Sequence, residues 1–318
     1  MQRRRFITSM TLLLGAAGLL RGCGIGSHLR LGIHPWIGYE SLYLAEHFGW
    51  LDDSVELIKN ANASQSLSGL KEETLDAAAL TLDEVLSARE QGLPLKVVLV
   101  FNHSVGADAV LVKEGIKQLS QLRGKRIAVE QTAVGALMLT KLLKASGLNR
   151  SEINILDIPP DSQVGAWEQG QIDAAITYEP TASRLAQQGA VRIFDSRAIP
   201  NTIFDVLAVM PGRPSSPVKA AVRGYLKGLE HIRLSRQDAL HRIAAWRGLA
   251  VQDVSHSLSG IHLPDLQANH AYLAGNGDLQ AAARELGRLM LQAGLLTRSP
   301  ALEGLVDNRY LPINGNGY

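Results

Sequence analysis

Leu75-Asp76-Ala77-Ala78-Ala79-Leu80-Thr81 and Ile172-Asp173-Ala174-Ala175-Ile176-Thr177 are two versions of one phrase. Each is a short apolar run entered through an aspartate and left through a threonine, the pattern of a strand buried on both faces. Each follows an earlier strand by about 45 residues. Arg30-Leu31-Gly32-Ile33 precedes the first, and Arg126-Ile127-Ala128-Val129 precedes the second. In both halves a loop and a helix come directly after that earlier strand. Generic α/β units share apolar strands, but shared order and spacing point to two similar lobes.

Working outward, strands are expected at 31–33, 55–59, 76–81, 97–101, 126–129, 153–157, 172–178, 191–194 and 202–210. Helices are expected at 40–48, 64–71, 83–91, 136–146 and 161–169, most of them closed by glycine or a polar turn. The run Val97-Val98-Leu99-Val100-Phe101 has the composition of a strand buried in a parallel sheet. The remainder reads as mostly helical, at 217–236, 237–248, 266–273 and 279–293, with a loop-like tail from Arg298.

The first residues follow a different grammar. Arg3, Arg4 and Arg5 precede a nearly uncharged stretch from Phe6 to Leu20, the basic and apolar regions of an export signal. The stretch is short of the roughly 20 apolar residues that span a bilayer. Arg3-Arg4-Arg5-Phe6-Ile7 fits both a twin-arginine signal and an ordinary secretory one. Cys23, the sole cysteine, closes the stretch in Leu20-Arg21-Gly22-Cys23, which is similar to a bacterial lipobox except at Arg21. Residues 1–22 are therefore expected to be a signal peptide, with Cys23 lipidated and 23–29 a tether. Localisation would be the periplasm or cell envelope. Residues 1–22 hold four arginines and no acid, so 32 basic against 30 acidic residues becomes 28 against 30, a formal net of −2. Without a dense basic patch, nucleic acid is not an expected partner.

A family resemblance rests on a set of short motifs in order: Trp36-Ile37-Gly38-Tyr39-Glu40-Ser41-Leu42-Tyr43-Leu44-Ala45, Asp76-Ala77-Ala78, Leu122-Arg123-Gly124-Lys125, Gly170-Gln171-Ile172-Asp173-Ala174-Ala175 and Tyr178-Glu179-Pro180. Over residues 30–310 the chain resembles the nitrate-, sulfonate- and taurine-type solute-binding components of ABC importers, which also include binders of thiamine-precursor pyrimidines. The resemblance implies an α/β, two-lobed, type II periplasmic-binding fold. Each lobe would be a mostly parallel sheet flanked by helices, with the C-terminal helices on the first lobe. Lobe 1 would comprise 30–102 and 205–318, and lobe 2 would comprise 106–200. Crossings would lie at 101–106 and 199–205. One departure stands out: family members carry a glycine before the first Asp-Ala pair, as at Gly170, where this chain has Glu73-Thr74-Leu75.

In open α/β sheets, ligands bind beyond the carboxyl ends of strands, near helix N-termini. Loops at 36–39, 81–83, 130–135 and 178–181 meet that description. Their candidate ligand residues are Trp36, Gly38, Tyr39, Thr81, Asp83, Gln131, Thr132, Tyr178 and Glu179. Trp36 and Tyr39 form either a ligand wall or packing within their own lobe. Asp83 and Thr132 either cap helices or touch ligand. Asn102, His103 and Asp108 suit either ligand contact or, preferentially, hydrogen bonding at a hinge.

No tight metal spacing, P-loop, dinucleotide fingerprint or Gly-x-Ser-x-Gly elbow occurs, so neither cofactor nor catalysis is expected. Fungal pyrimidine-precursor synthases share the implied fold, but they carry a cysteine-rich motif that this chain lacks after Cys23. The expected role is capture of a small polar organic molecule or anion by a lipid-anchored monomer that serves an ABC permease and its ATPase. The alternative partner is a membrane sensor protein. No arginine lies in the four loops, and the aromatics there also suit an aromatic or cationic solute.

Overall fold

Strands and helices alternate throughout the computed structural model, which describes residues 28–131 and 134–313. The strands are β1 (Leu29–Ile33), β2 (Val55–Lys59), β3 (Ala77–Thr81), β4 (Lys96–Ser104), β5 (Ala109–Val112), β6 (Arg126–Val129), β7 (Asn154–Asp157), β8 (Ala174–Thr177), β9 (Val191–Asp195), β10 (Phe204–Val209) and β11 (Ile261–His262). The helices are α1 (Glu40–His47), α2 (Ala63–Lys71), α3 (Leu82–Glu90), α4 (Val134–Ser146), α5 (Pro160–Glu168), α6 (Thr181–Gln187), α7 (Ser215–Leu234), α8 (Arg236–Arg247), α9 (Val251–Ser259), α10 (Leu266–Tyr272) and α11 (Asp278–Gln292). Among the described residues no helix is long and apolar enough to cross a membrane.

The strands form two sheets, ordered β11-β4-β10-β3-β1-β2 and β7-β6-β8-β5-β9. Each sheet is mixed. β1 pairs in parallel with β2 and β3, and β6 does the same with β7 and β8. The strands that carry the chain between sheets run antiparallel to their neighbours: β4 to β10, β10 to β3, and β5 to β8 and β9. The 97–101 run is buried as its composition demands, yet its neighbours are antiparallel, because burial selects apolar residues whatever the strand direction. Three elements are absent from the sequence expectations: β5, α9 and β11. At two to nine residues each, they are too short to show a clear period. A helix start at Pro180 is expected, and α6 begins there, with Pro180 as its N-cap. The C-terminal helices cover the first sheet's lobe, with α7 against α1 and β2, and α11 against α3.

The repeated phrase has a structural cause. The backbone N–H of Arg30 donates to Asp76 Oδ2 (2.9 Å), and its guanidinium closes a fork on the same carboxylate through Nε (2.8 Å) and Nη2 (2.9 Å). Arg126 repeats this atom for atom on Asp173, at 3.0, 3.0 and 2.8 Å. Each aspartate N–H donates back to its arginine's carbonyl, at 2.9 and 2.8 Å. The fork therefore sets the register of the first strand against the third in both lobes. Both arginine side chains are more than a third exposed, so the ion pairs themselves contribute about 1 kcal/mol or less. Their value is geometric, as expected for a bidentate pair.

The departure at Glu73 now has a physical meaning. Glu73 stands three residues before Asp76 as Gly170 stands before Asp173, and both are left-handed, with φ of 58° and 65°. The Glu73 carbonyl accepts from Arg30 Nη2 at 2.9 Å, so this turn is held by the fork. A side chain pays a steric penalty in this conformation that glycine avoids. Glu73→Gly is expected to stabilise the protein by up to about 1 kcal/mol, a rise in melting midpoint of a few degrees or less, as read by calorimetry.

The chain passes between sheets at 105–108 and 196–203. Ser104 Oγ and Ser196 Oγ lie 2.7 Å apart. The Gly106 N–H donates to Ser196 Oγ (2.7 Å) and the Asp108 N–H to Ser104 Oγ (3.2 Å). The Ser196 N–H returns to the Asp108 carbonyl at 2.9 Å. β4 runs beyond the expected end at Phe101, so the first crossing begins at Val105.

Candidate functional site

The carboxyl ends of β1 and β3 in the first sheet face those of β6 and β8 in the second. His34 and Trp36 follow β1, Thr81 and Glu84 follow β3, Glu130 follows β6, and Tyr178 follows β8. Together with Asp108 from the first crossing and Asp205 near the start of β10, they line one cavity. Ala63, Val134 and Ile203 complete it with apolar surface. Its volume is about 10 Å³, room for about one water, so the lobes stand nearly shut.

Trp36 and Tyr178 meet across the cavity edge to face, with ring centroids 5.5 Å apart and planes at 87°. His34 completes the aromatic set, 5.2 Å from Tyr39 and 6.3 Å from Tyr178. Burial, helped by the Arg247 charge, pushes the His34 imidazole down to about 3, so it is neutral at physiological pH. A second inter-lobe contact joins Ser64 Oγ, which donates to Glu130 Oε1. A third runs from Asn62 Nδ2 to Asp161 Oδ1 at 3.3 Å.

The cavity is acidic. Glu84, Asp108, Glu130 and Asp205 line it, and no lysine or arginine does. Burial pushes Asp108 up to about 7; the Ser104 hydroxyl opposes this, and the Asp83 charge adds to it. Burial also raises Glu130, against the hydrogen bond from Ser64. Asp205 is held well above the carboxylate range by burial and by Asp108, although Tyr39 Oη donates to its Oδ1 at 2.8 Å. Asp83 and Glu84 are both raised by burial, and Asp83's charge adds to the rise at Glu84. The guanidiniums whose charge acts on His34 and Asp108 pair outside the cavity lining: Arg247 Nε with Glu40 Oε1 at 2.6 Å, and Arg192 Nη2 with Glu179 Oε1 at 3.5 Å.

The expected site residues divide into those that reach this cavity and those that support it. Trp36, Thr81 and Tyr178 line it. Tyr39 does not; it is fully buried in its own lobe against Phe101 and His34, with its hydroxyl on Asp205. Gly38 leaves space. A Cβ there would stand 2.0 Å from Asn102 Nδ2 and 2.4 Å from Trp36 Nε1. Asp83 lies buried in the first turn of α3, but the cap belongs to Thr81 and Glu84, whose Oε2 accepts from the Thr81 N–H at 2.7 Å. The side chain of Gln131 turns away to Arg150. Glu179 caps α6, accepting from the Ser183 N–H at 3.0 Å, and pairs with Arg192. Thr132 and Cys23 lie outside the described residues. Asn102 is fully buried beside Gly38, and His103 stacks near Phe204 and His262. Asp108 holds the crossing with its backbone while its carboxylate lines the cavity.

His34, Glu84, Glu130 and Asp205 were not among the expected ligand residues, and Asp108 was expected chiefly at a hinge. Only Glu84 had a local signal, since Thr81-Leu82-Asp83-Glu84 is a capping-box sequence that brings its fourth residue back to its first. Gly38→Ala is expected to displace the Trp36 indole and destabilise the protein by about 1–3 kcal/mol, measured by chemical denaturation.

The NMT1/THI5-like family model matches residues 37–233, more than half of the chain. The chain belongs to the NMT1/THI5-like family. Among curated relatives, it is 31% identical over 104 residues to the taurine-binding periplasmic protein of Escherichia coli K12, covering 33% of this chain and 32% of that protein. It is 27% identical over 202 residues to a putative aliphatic sulfonates-binding protein of Bacillus subtilis 168, covering 58% and 60%. The matched segments thus span less than two thirds of either relative. Among solved structures, the alkanesulfonate-binding protein SsuA of Xanthomonas axonopodis pv. citri, bound to MOPS, superposes with a TM-score of 0.74 at 19% identity, covering 90% of this chain and 99% of that one. The desulfurization enzyme DSZB superposes at 0.63 with 17% identity, covering 89% and 98%. These likenesses establish the two-lobed periplasmic-binding-protein fold of this NMT1/THI5-like chain. DSZB also demonstrates that the fold hosts enzymes as well as binding proteins.

Proposed function

We propose that this NMT1/THI5-like protein is an exported solute-binding protein that captures a small polar molecule between its lobes and delivers it to an ABC importer without transforming it. The observation that carries this reading is the meeting of Trp36 and Tyr178 across a cavity flanked by two chain crossings. Two crossings permit a hinge opening, and aromatic faces at strand ends suit a small organic solute. The curated relatives, named as taurine- and sulfonate-binding proteins, support capture over catalysis. In this reading the chain divides at the crossings into lobe 1 (30–102 with 205–318) and lobe 2 (106–200). Trp36, Thr81 and Tyr178 touch the solute, while Gly38, Tyr39, Asp83 and Glu179 support them. Gln131 lies in the loop after β6, on the second lobe's side, and Thr132 is proposed as a ligand residue from the sequence alone.

The test is thermal denaturation and native mass spectrometry of purified protein with small solutes. A captured solute at 100 times its dissociation constant adds about 2.7 kcal/mol of stability. Retention of the unchanged solute supports capture, whereas appearance of a product of different mass overturns the non-enzymatic reading.

We also propose that residues 1–22 are a signal peptide and that Cys23 carries the lipid that holds the protein at the envelope. Metabolic labelling with a fatty-acid analogue is expected to mark the wild type and not Cys23→Ala. Equal labelling of both would exclude the anchor.

A further inference from the structure

We infer that the cavity between the lobes takes a small organic cation, an ammonium or protonated amine without an anionic head, and not the sulfonate for which relatives are named. The inference rests on the solute-capture reading and specifies its ligand class. Four separate elements bring Glu84, Asp108, Glu130 and Asp205 to one cavity that no arginine or lysine lines. Acid content alone would carry little weight. The second observation is that buried polar atoms lining the same space lack hydrogen-bond partners among the described residues. They are the carboxyl oxygens Asp108 Oδ2, Glu130 Oε2 and Asp205 Oδ2, together with His34 Nδ1, the Thr81 hydroxyl and one donor, Trp36 Nε1, on side chains that are all at least nine-tenths buried.

Such oxygens are costly to desolvate unless something donates to them. Neither arginine whose charge acts here lines the cavity: Arg247 pairs through Nε with Glu40, and Arg192 pairs with Glu179. A sulfonate would find no fixed positive charge here, since His34 is neutral and no lysine or arginine lines the cavity. A cation, by contrast, would draw the buried carboxyls back to their ionised form. An ammonium would donate to them and sit against the Trp36 and Tyr178 rings, where a cation within about 6 Å of a ring centre is attracted.

The experiment uses matched skeletons. Ethylammonium, benzylammonium and tetramethylammonium are compared with ethanesulfonate and benzenesulfonate, and taurine carries both groups. Thermal midpoints and titration calorimetry are the readouts. The ammonium probes are expected to bind and the sulfonates to leave the midpoint unchanged, with taurine weaker than ethylammonium. Asp108→Asn and Glu130→Gln, which keep side-chain shape, are each expected to weaken the best ammonium probe about 10- to 100-fold. Binding by sulfonates alone, or by taurine more tightly than ethylammonium, would overturn the cation and leave solute capture standing. Ammonium binding that ignores both substitutions would also overturn it, because the cation would then lie elsewhere. Silence from every probe overturns the cation class, and capture is then decided by native mass spectrometry of solute retained from the host.

Discussion

Trp36→Ala is expected to weaken solute capture about 30- to 1,000-fold, the loss of about 2–4 kcal/mol that accompanies removal of a central, desolvated aromatic anchor. Trp36 is 3% exposed, lines the cavity from the first lobe and meets Tyr178 of the second edge to face. Removing it deletes a wall of the site and also the contact that reports closure. The effect should fall chiefly on dissociation, since closure retains the solute. Trp36→Phe should recover most of the affinity. Tyr39→Phe is the informative contrast, because Tyr39 reaches the cavity only through its hydrogen bond to Asp205. It should cost about tenfold or less. Calorimetric titration with any solute that binds the wild type decides the matter, and unchanged affinity in Trp36→Ala would remove the aromatic wall from the site.

The second large effect concerns pH. In the solute-free protein, Asp108 removes stability as pH rises from about 4 to about 7. His34, held down to about 3, instead adds stability as pH rises from about 3 to its ordinary 6.5. The Asp108 contribution is therefore read as the difference between the wild type and Asp108→Asn. Asp108 ordinarily titrates near 3.8 and in the fold is pushed up to about 7. Between those values the folded state holds a proton that the unfolded state has released, so raising the pH favours unfolding. The contribution is complete below the unfolded value and gone above about pH 7. About three pH units at 1.36 kcal/mol each give a loss of roughly 4 kcal/mol from this group.

Every element packed around Asp108 bears on it. Asp83 from α3 and Glu179 from the end of β8 raise it, and Arg192 from β9 lowers it. Asp205 on β10 is raised in turn by Asp108. Asp108→Asn should therefore gain stability relative to the wild type as pH rises, measured as denaturation midpoint at pH 4.5, 6 and 7.5. A variant whose midpoint follows the wild type in parallel across that range would refute the assignment. A bound cation would lessen the Asp108 loss, by favouring the ionised carboxylates.

Much of the frame was legible along the chain. Asp76 and Asp173 could be matched by eye because one device, the Arg–Asp fork, requires the same residues at the same spacing in both lobes. Even the irregularity at Glu73 was visible, although its left-handed backbone was not. Trp36 and Tyr178, expected from loop aromatics at strand ends, both line the cavity. Tyr39 and Glu179 have the same local appearance, yet one is buried against Phe101 and the other caps α6.

The sequence by itself determined two α/β lobes, their repeated register device and the loops that crown their strands. Those follow from local periodicity and from pairs recurring at fixed spacing. Only the tertiary structure decided the character of the site. Glu84, Asp108, Glu130 and Asp205 are separated along the chain and belong to different elements, and each alone looks like an ordinary polar residue at an element end. Their shared burial, and the absence of a lysine or arginine among the residues lining that cavity, arise when two sheets and two crossings converge. Electrostatic character in a cleft depends on which charges are brought together in space, and residue order along the chain does not specify that.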